Sequence, residues 1–237
     1  IRRNVGLLTE SPGMYERLTA EKNLRIFAEL YDVPDVTKAV NKYLSLFGLW
    51  ERRGDPVGSY SKGMRQKLAV ARALLHEPKV LFFDEPTTGL DPEAARVVRD
   101  FILEFKNEGR TIFMTTHNLD EAEKLCDRVG IFKQSLLALD SPANLRQRTF
   151  GRKVVFHLSG VNPDWVPLVS RIEGVSSVEI MENKRAIGMT DPETINPIIT
   201  RQLVEQGADI QFIGEVRQSL ERVYLEMLHG EGEARHA

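Results

Sequence analysis

The sequence predicts an α/β protein whose parallel sheet is followed by a small α+β module. Three observations predict it. Two short apolar runs, Val80-Leu81-Phe82-Phe83 and Thr111-Ile112-Phe113-Met114, end in polar groups and are separated by a helical pattern. Strands alternating with helices are the pattern of a parallel sheet. From about residue 152 the order changes to strand-helix-strand-strand-helix-strand, that of a ferredoxin-like unit. The third is composition: 237 residues, 42% hydrophobic and 28% charged, are enough for one large or two modest domains and too apolar for disorder.

The first strand is Asn4-Val5-Gly6-Leu7-Leu8-Thr9, ended by a loop at Pro12-Gly13. Thr19 is placed to cap a helix whose Leu24, Phe27, Leu30 and Tyr31 share one face, and Pro34 ends it. A second amphipathic helix turns Val40, Tyr43, Leu44 and Phe47 inward. Ser61 caps a third helix, over 66–76, at whose mouth stands Tyr60-Ser61-Lys62-Gly63-Met64-Arg65-Gln66. Free N–H groups, a hydroxyl and a lysine there form a ready anion site, and Gly63 allows close approach to the backbone. Strand 80–83 reads as buried on both faces. Asp91-Pro92 caps and starts the next helix, with Ala95, Val98, Ile102 and Phe105 inward and Gly109 closing it. Strand 111–117, helix 119–126 and strand 129–132 continue the parallel sheet.

Ser141-Pro142 and the polar Arg146-Gln147-Arg148 mark a boundary, giving domains 1–147 and 148–230 with a frayed tail over 231–237. The second domain reads as strand 154–158, helix 163–172, strands 175–181 and 185–189, helix 193–206 and strand 210–213. A last helix from Ser219 carries Leu220, Val223, Tyr224, Met227 and Leu228 on one face. There is no internal repeat, and no catalytic constellation follows His117.

Composition narrows the function. A net charge of −2 does not indicate a broad nucleic-acid surface. No apolar run approaches the ~20 residues that span a bilayer, and the opening residues do not read as a signal peptide. One cysteine, Cys126, allows no internal disulfide framework and fits a reducing compartment. The expected location is the cytoplasm, free or on the inner face of a membrane. The chemistry concentrates in Asp84-Glu85, which closes an apolar strand. In open α/β sheets the carboxyl ends of strands form the ligand crevice, and unpaired acids there call for a cation or a proton. At the end of a parallel neighbour, His117 should face the same crevice.

These motifs resemble those of ABC ATPases. Tyr60–Gln66 is similar to the signature motif, Val80–Glu85 to the Walker B strand, Gly89-Leu90-Asp91 to the D-loop and His117 to the switch histidine; Glu10 falls at the Q-loop position. Their order and spacing are also the family's, over about residues 1–145. The remainder resembles the accessory domain of bacterial ATP-binding subunits that drive drug, antibiotic or polysaccharide exporters. The resemblance implies part of a P-loop ATPase sheet with a helical subdomain, and ATP and Mg²⁺ as cofactors. Asp84 would hold the metal, Glu85 would be the general base and His117 would meet the γ-phosphate. Ser61, Lys62, Gly63 and Met64 would reach a nucleotide held by a second ATP-binding subunit, identical or not, with Asp91 at that interface. The further partner is a transmembrane permease, received by the loop 10–15 and the helices after it; no nucleic acid is implied.

Three departures from the family stand out. The signature reads Ser-Lys-Gly-Met, with Lys62 where the family has glycine, and the Q-loop position is acidic. No Gly-x-x-x-x-Gly-Lys-Ser/Thr run occurs in the 237 residues. Its backbone N–H groups and lysine would cradle the phosphates. The expectation is therefore that an amino-terminal piece of about 80 residues precedes Ile1. The chain alone should then not bind or hydrolyse ATP appreciably, and its sheet should expose apolar surface. An alternative is a soluble ABC ATPase acting on DNA or ribosomes. The short stretch between Glu10 and Ser61 lacks long heptads, the chain holds one motif set, and its charge is near neutral; all three oppose it. A degenerate regulatory subunit is opposed by intact Glu85 and His117.

Overall fold

The computed structural model describes residues 2–160, 162–181, 184–216 and 218–233. The chain divides into two compact units between Asn118 and Leu119. That division lies earlier than the boundary at 147 read from the sequence.

The first unit opens with β1 (Val5–Leu8), followed by α1 (Ala20–Leu30), α2 (Val36–Leu46) and α3 (Lys62–Leu74). β2 (Val80–Asp84), α4 (Pro92–Asn107) and β3 (Thr111–Thr115) complete it. The strands form a parallel sheet in the order β1-β2-β3, with Leu8 beside Phe83 and Asp84 beside Thr115. Side-chain oxygens cap the helices as expected: Thr19 accepts from the Lys22 N–H and Asp91 from the Ala94 N–H.

Burial departs from expectation in two places. Leu81 and Phe83 are buried, but the row Leu7, Phe82 and Phe113 across the other sheet face is 53%, 38% and 59% exposed. β2 is thus covered on one face only. Both crossovers step the same way across the sheet, and right-handed connections then put α3 and α4 on one side. In α1 the buried set is Ala20, Asn23, Leu24 and Ala28, while Leu30 is 68% exposed. Small residues and Asn23 let that helix approach closely, so its buried stripe is rotated from the predicted one. In α2, Val40, Tyr43 and Leu44 are buried, as is Phe47 at its end.

The strand entries are tied to the helical pair. Glu77, between α3 and β2, accepts from Lys42 of α2 at 2.5 Å and from Arg110, just before β3, at 2.7 Å. Burial pushes the Glu77 carboxyl up, but hydrogen bonds from groups including Lys42 and Arg110 outweigh that and hold it at about 2. His76 stacks on Tyr31, which caps the end of α1, and places Nε2 2.9 Å from the Val5 carbonyl.

The second unit begins with α5 (Leu119–Leu125), β4 (Val129–Phe132), β5 (Leu136–Asp140) and α6 (Pro142–Phe150). β4 pairs antiparallel with β5 and does not extend the parallel sheet as predicted. The reason is a tight reversal at 133–135, with the Lys133 N–H bonded to the Ser135 carbonyl. Ser141, at the sequence boundary, caps α6, accepting from the Asn144 N–H. These elements share a core with Leu220 and Val223 of α9 (Leu220–Glu233). The helix is described through Glu233, past the predicted start of the frayed tail at 231, and residues 234–237 lie outside the described residues.

Between α6 and α9 lie β6 (Arg152–Leu158), α7 (Trp165–Ser170), β7 (Val175–Met181), β8 (Lys184–Met189), α8 (Pro192–Glu205) and β9 (Ile210–Glu215). The sheet is antiparallel with order β7-β8-β6-β9, the ferredoxin-like arrangement. Val154, Phe156 and Leu158, alternating along β6, pack with Ile195, Ile199 and Leu203 of α8 in one core. Among the described residues no helix is long and apolar enough to cross a membrane.

Candidate functional site

The rim of the parallel sheet is built from strand ends. Asp84 closes β2 opposite Thr115 of β3, and the Thr115 hydroxyl donates to Asp84 Oδ1. The Glu85 N–H continues the ladder by donating to the Thr115 carbonyl at 3.1 Å. Glu85 then takes a left-handed backbone, φ 49°. For a residue with a Cβ that conformation costs about 1–2 kcal/mol. It turns the carboxylate out of the strand direction toward the next strand's loop. There Oε1 accepts the His117 backbone N–H at 2.9 Å and lies 2.9 Å from His117 Nδ1. Oε2 accepts the Thr88 hydroxyl at 2.7 Å. The Glu85 side chain is 19% exposed and that of His117 76%, so the acid is sheltered and the imidazole faces solvent.

The residues at the start of α3 meet the segment that follows the acid pair. Ser61 caps the helix, its Oγ accepting from the Met64 N–H at 3.2 Å. Lys62 reaches Gly89 so closely that a Cβ there would lie 1.9 Å from Lys62 Nζ. Gly89 has φ +68°, so the turn favours glycine, and the flexible end of Lys62 lies across it. Gly63 faces Ala94 of α4, whose Cβ would be 3.0 Å from one on Gly63. Its bareness therefore lets the start of α3 pack closely on α4. The buried Gln66 donates from Nε2 to the Pro86 carbonyl at 2.7 Å.

Glu10 is exposed, two residues beyond β1 on the same carboxyl edge, and lies outside the hydrogen-bonded set around Glu85. The loop it opens is anchored from α1 and α3. Asn23 accepts the Tyr15 N–H and donates to the Tyr15 and Thr19 carbonyls, and Arg72 donates to the Gly13 carbonyl at 2.6 Å. The structure thus joins Asp84, Glu85 and His117 at one rim, and sets Ser61, Lys62, Gly63 and Met64 beside the turn leading to Asp91.

Sequence reasoning missed Thr88, Thr115 and Gln66. The strand register could have found Thr115, which is the residue opposite Asp84 once the two apolar runs are aligned. Gln66 shares a stripe with Ala69, Val70 and Ala73, all buried; a polar residue in an apolar stripe signals a buried partner. Thr88 carried no signal beyond its nearness to the acids.

Among the described residues no three His, Cys, Asp or Glu side chains cluster as a metal cage. Mg²⁺ does not need one, since it is held by one or two carboxylates plus phosphates and water. Asp84, exposed and with one oxygen engaged by Thr115, fits that requirement.

Residues 1–88 match the ABC transporter family. A fluoroquinolones export ATP-binding protein of Mycobacterium tuberculosis is 44% identical over 151 residues, covering 63% of this chain and 50% of that protein. The bacitracin transport ATP-binding protein BcrA of Bacillus licheniformis is 32% identical over 231 residues, covering 97% of this chain and 74% of that protein. A solved structure of an ATP-binding subunit of an ABC transporter superposes with TM-score 0.56 at 33% identity, covering 62% of each chain. The chain spans about half the length of the first relative.

Proposed function

The chain belongs to the ABC transporter ATP-binding subunits, and from that premise we propose that it forms part of the ATP-hydrolysing subunit of a membrane exporter. The observation that carries the proposal is the Glu85–His117 contact at the ends of adjacent parallel strands. Glu85 orients an attacking water and takes its proton. His117 holds one nitrogen on Glu85 and offers the rest of its ring to the γ-phosphate. Asp84 would hold Mg²⁺, which would neutralise phosphate charge.

Ser61, Lys62, Gly63 and Met64 serve the nucleotide of a second ATP-binding subunit, and Asp91 lies at that interface. Glu10 and the loop anchored by Asn23 and Arg72 face a transmembrane permease, which holds the subunit on the inner side of the membrane. Exposed Tyr15 and Leu30 supply apolar surface for that contact. The cargo is a drug-like or antibiotic compound, a reading supported by the names of the relatives.

Two measurements test this. In the full-length protein, Glu85→Gln is expected to abolish turnover and trap an ATP-bound dimer; unchanged turnover removes Glu85 as the base. The 237 residues alone hold no phosphate-cradling glycine-lysine loop and are expected to show no nucleotide binding by calorimetry. Micromolar binding would overturn that part.

A further inference from the structure

The turn that carries Glu85 into α4 is gripped by α3 of the same chain. We propose that Gln66 and Thr88 are positioning residues for Glu85, so that the start of α3 and the acid carboxylate move as one piece. This rests on the reading of Glu85 as the general base.

The contacts run in an unbroken series. Gln66 Nε2 donates at 2.7 Å to the carbonyl of Pro86, the residue directly after Glu85. Three residues further along the chain, the Lys62 side chain lies across Gly89, and beyond the cap Asp91 the first turn of α4 meets Gly63 through Ala94. Between these fixed points stands Thr88. Its N–H donates to the Glu85 carbonyl at 3.3 Å and its hydroxyl to Glu85 Oε2 at 2.7 Å. One carboxylate oxygen is therefore placed by a hydroxyl, the hydroxyl by the turn, and the turn by α3. The buried amide of Gln66 donates to the Pro86 carbonyl and fixes it to α3. Without it that carbonyl seeks another partner and the turn shifts.

Lys62 makes the same turn sensitive to charge. An anion that draws the ammonium away from Gly89 removes the side chain packed on the turn, and the change reaches Glu85 through Thr88. The signature start would thus report to the acid of its own chain while serving a nucleotide held by its partner.

The test uses the full-length protein assembled with its permease. Gln66→Met keeps the length of the side chain and loses the donor; Thr88→Val keeps the shape and loses the hydroxyl. Each is expected to lower kcat by roughly ten- to a hundredfold, the scale of a small misplacement of a catalytic group. The KM for ATP should stay within about twofold, since ground-state binding is untouched. Placed on top of Glu85→Gln, neither should lower the residual single-turnover rate further, because both act only through that carboxylate. If Glu85→Gln itself leaves turnover intact, the base assignment fails and takes this proposal with it. If Glu85→Gln abolishes turnover while both other variants keep the kcat of the parent, or still slow the Glu85→Gln protein, positioning alone is overturned. Should Gln66→Met fail to fold by circular dichroism, Thr88→Val, on a partly exposed turn, decides the matter.

Discussion

The two sheets of this chain reach burial by different routes. The parallel sheet β1-β2-β3 has helices on one face and a row of Leu7, Phe82 and Phe113 open on the other. The antiparallel sheet β7-β8-β6-β9 alternates along β6 so that Val154, Phe156 and Leu158 share one closed core with α7 and α8. A parallel sheet needs cover on both faces, whereas an antiparallel one tolerates a wet face. The sheet with the unfinished face carries the acid pair and the histidine. The finished one carries none of the site residues. Chemistry here sits on the rim of the sheet whose strands all end together, which a parallel arrangement alone provides.

The largest expected effect comes from separating the two sheets. Residues 148–216 expressed alone should melt cooperatively and give a dispersed amide spectrum, because their core is complete. Residues 1–118 alone should self-associate through the open apolar row, seen as concentration-dependent light scattering. A monodisperse, cooperatively melting 1–118 would break the comparison.

Single substitutions sharpen it. Phe156→Ala empties the closed core and should cost about 3–5 kcal/mol in denaturant unfolding of the 237-residue chain. Phe113→Ala on the open row should stay within about 0.5 kcal/mol, as expected of a surface change. Similar costs at both positions would show that the open row is covered in solution.

The smallest effect concerns acid. The Glu77 carboxyl is held at about 2, below its ordinary 4.5, so its contribution to stability is present above 4.5 and lost as pH falls toward 2. Burial holds the His76 imidazole below its ordinary 6.5; the unfolded chain takes up that proton first, and stability falls as pH drops below about 6.5. Glu77→Gln should flatten the pH–melting curve between 4.5 and 2. Glu193→Gln should change it less, although hydrogen bonds from Arg152 hold Glu193 at about 2 as well, because that pair is solvated. Equal flattening by both would contradict the ranking.

Much of the site was legible because its signals are local. Thr19, Ser61 and Asp91 cap helices by bonding residues three positions on, and Asp84-Glu85 ends an apolar run that reads as a strand. The left-handed turn at Glu85, the Thr88 hydroxyl on its carboxylate and the Gln66 bond to Pro86 were not legible. Each depends on how segments distant along the chain, or a sharp turn between them, settle against one another. The pairing of β4 with β5 was misread for a related reason. A four-residue apolar run fits a parallel or an antiparallel neighbour equally well.

By itself, then, the sequence determined which residues end strands, which cap helices and which side chains are chemically able to handle phosphate, since these follow from neighbours within a turn or two; it also placed His117 at the rim of Asp84 and Glu85. Only the tertiary structure decided that a left-handed turn brings Glu85 Oε1 onto the His117 N–H, that Lys62 lies across Gly89 and that Leu7, Phe82 and Phe113 stay open. Strand register and crossover side are properties of the packed sheet, and no short stretch of chain encodes them alone.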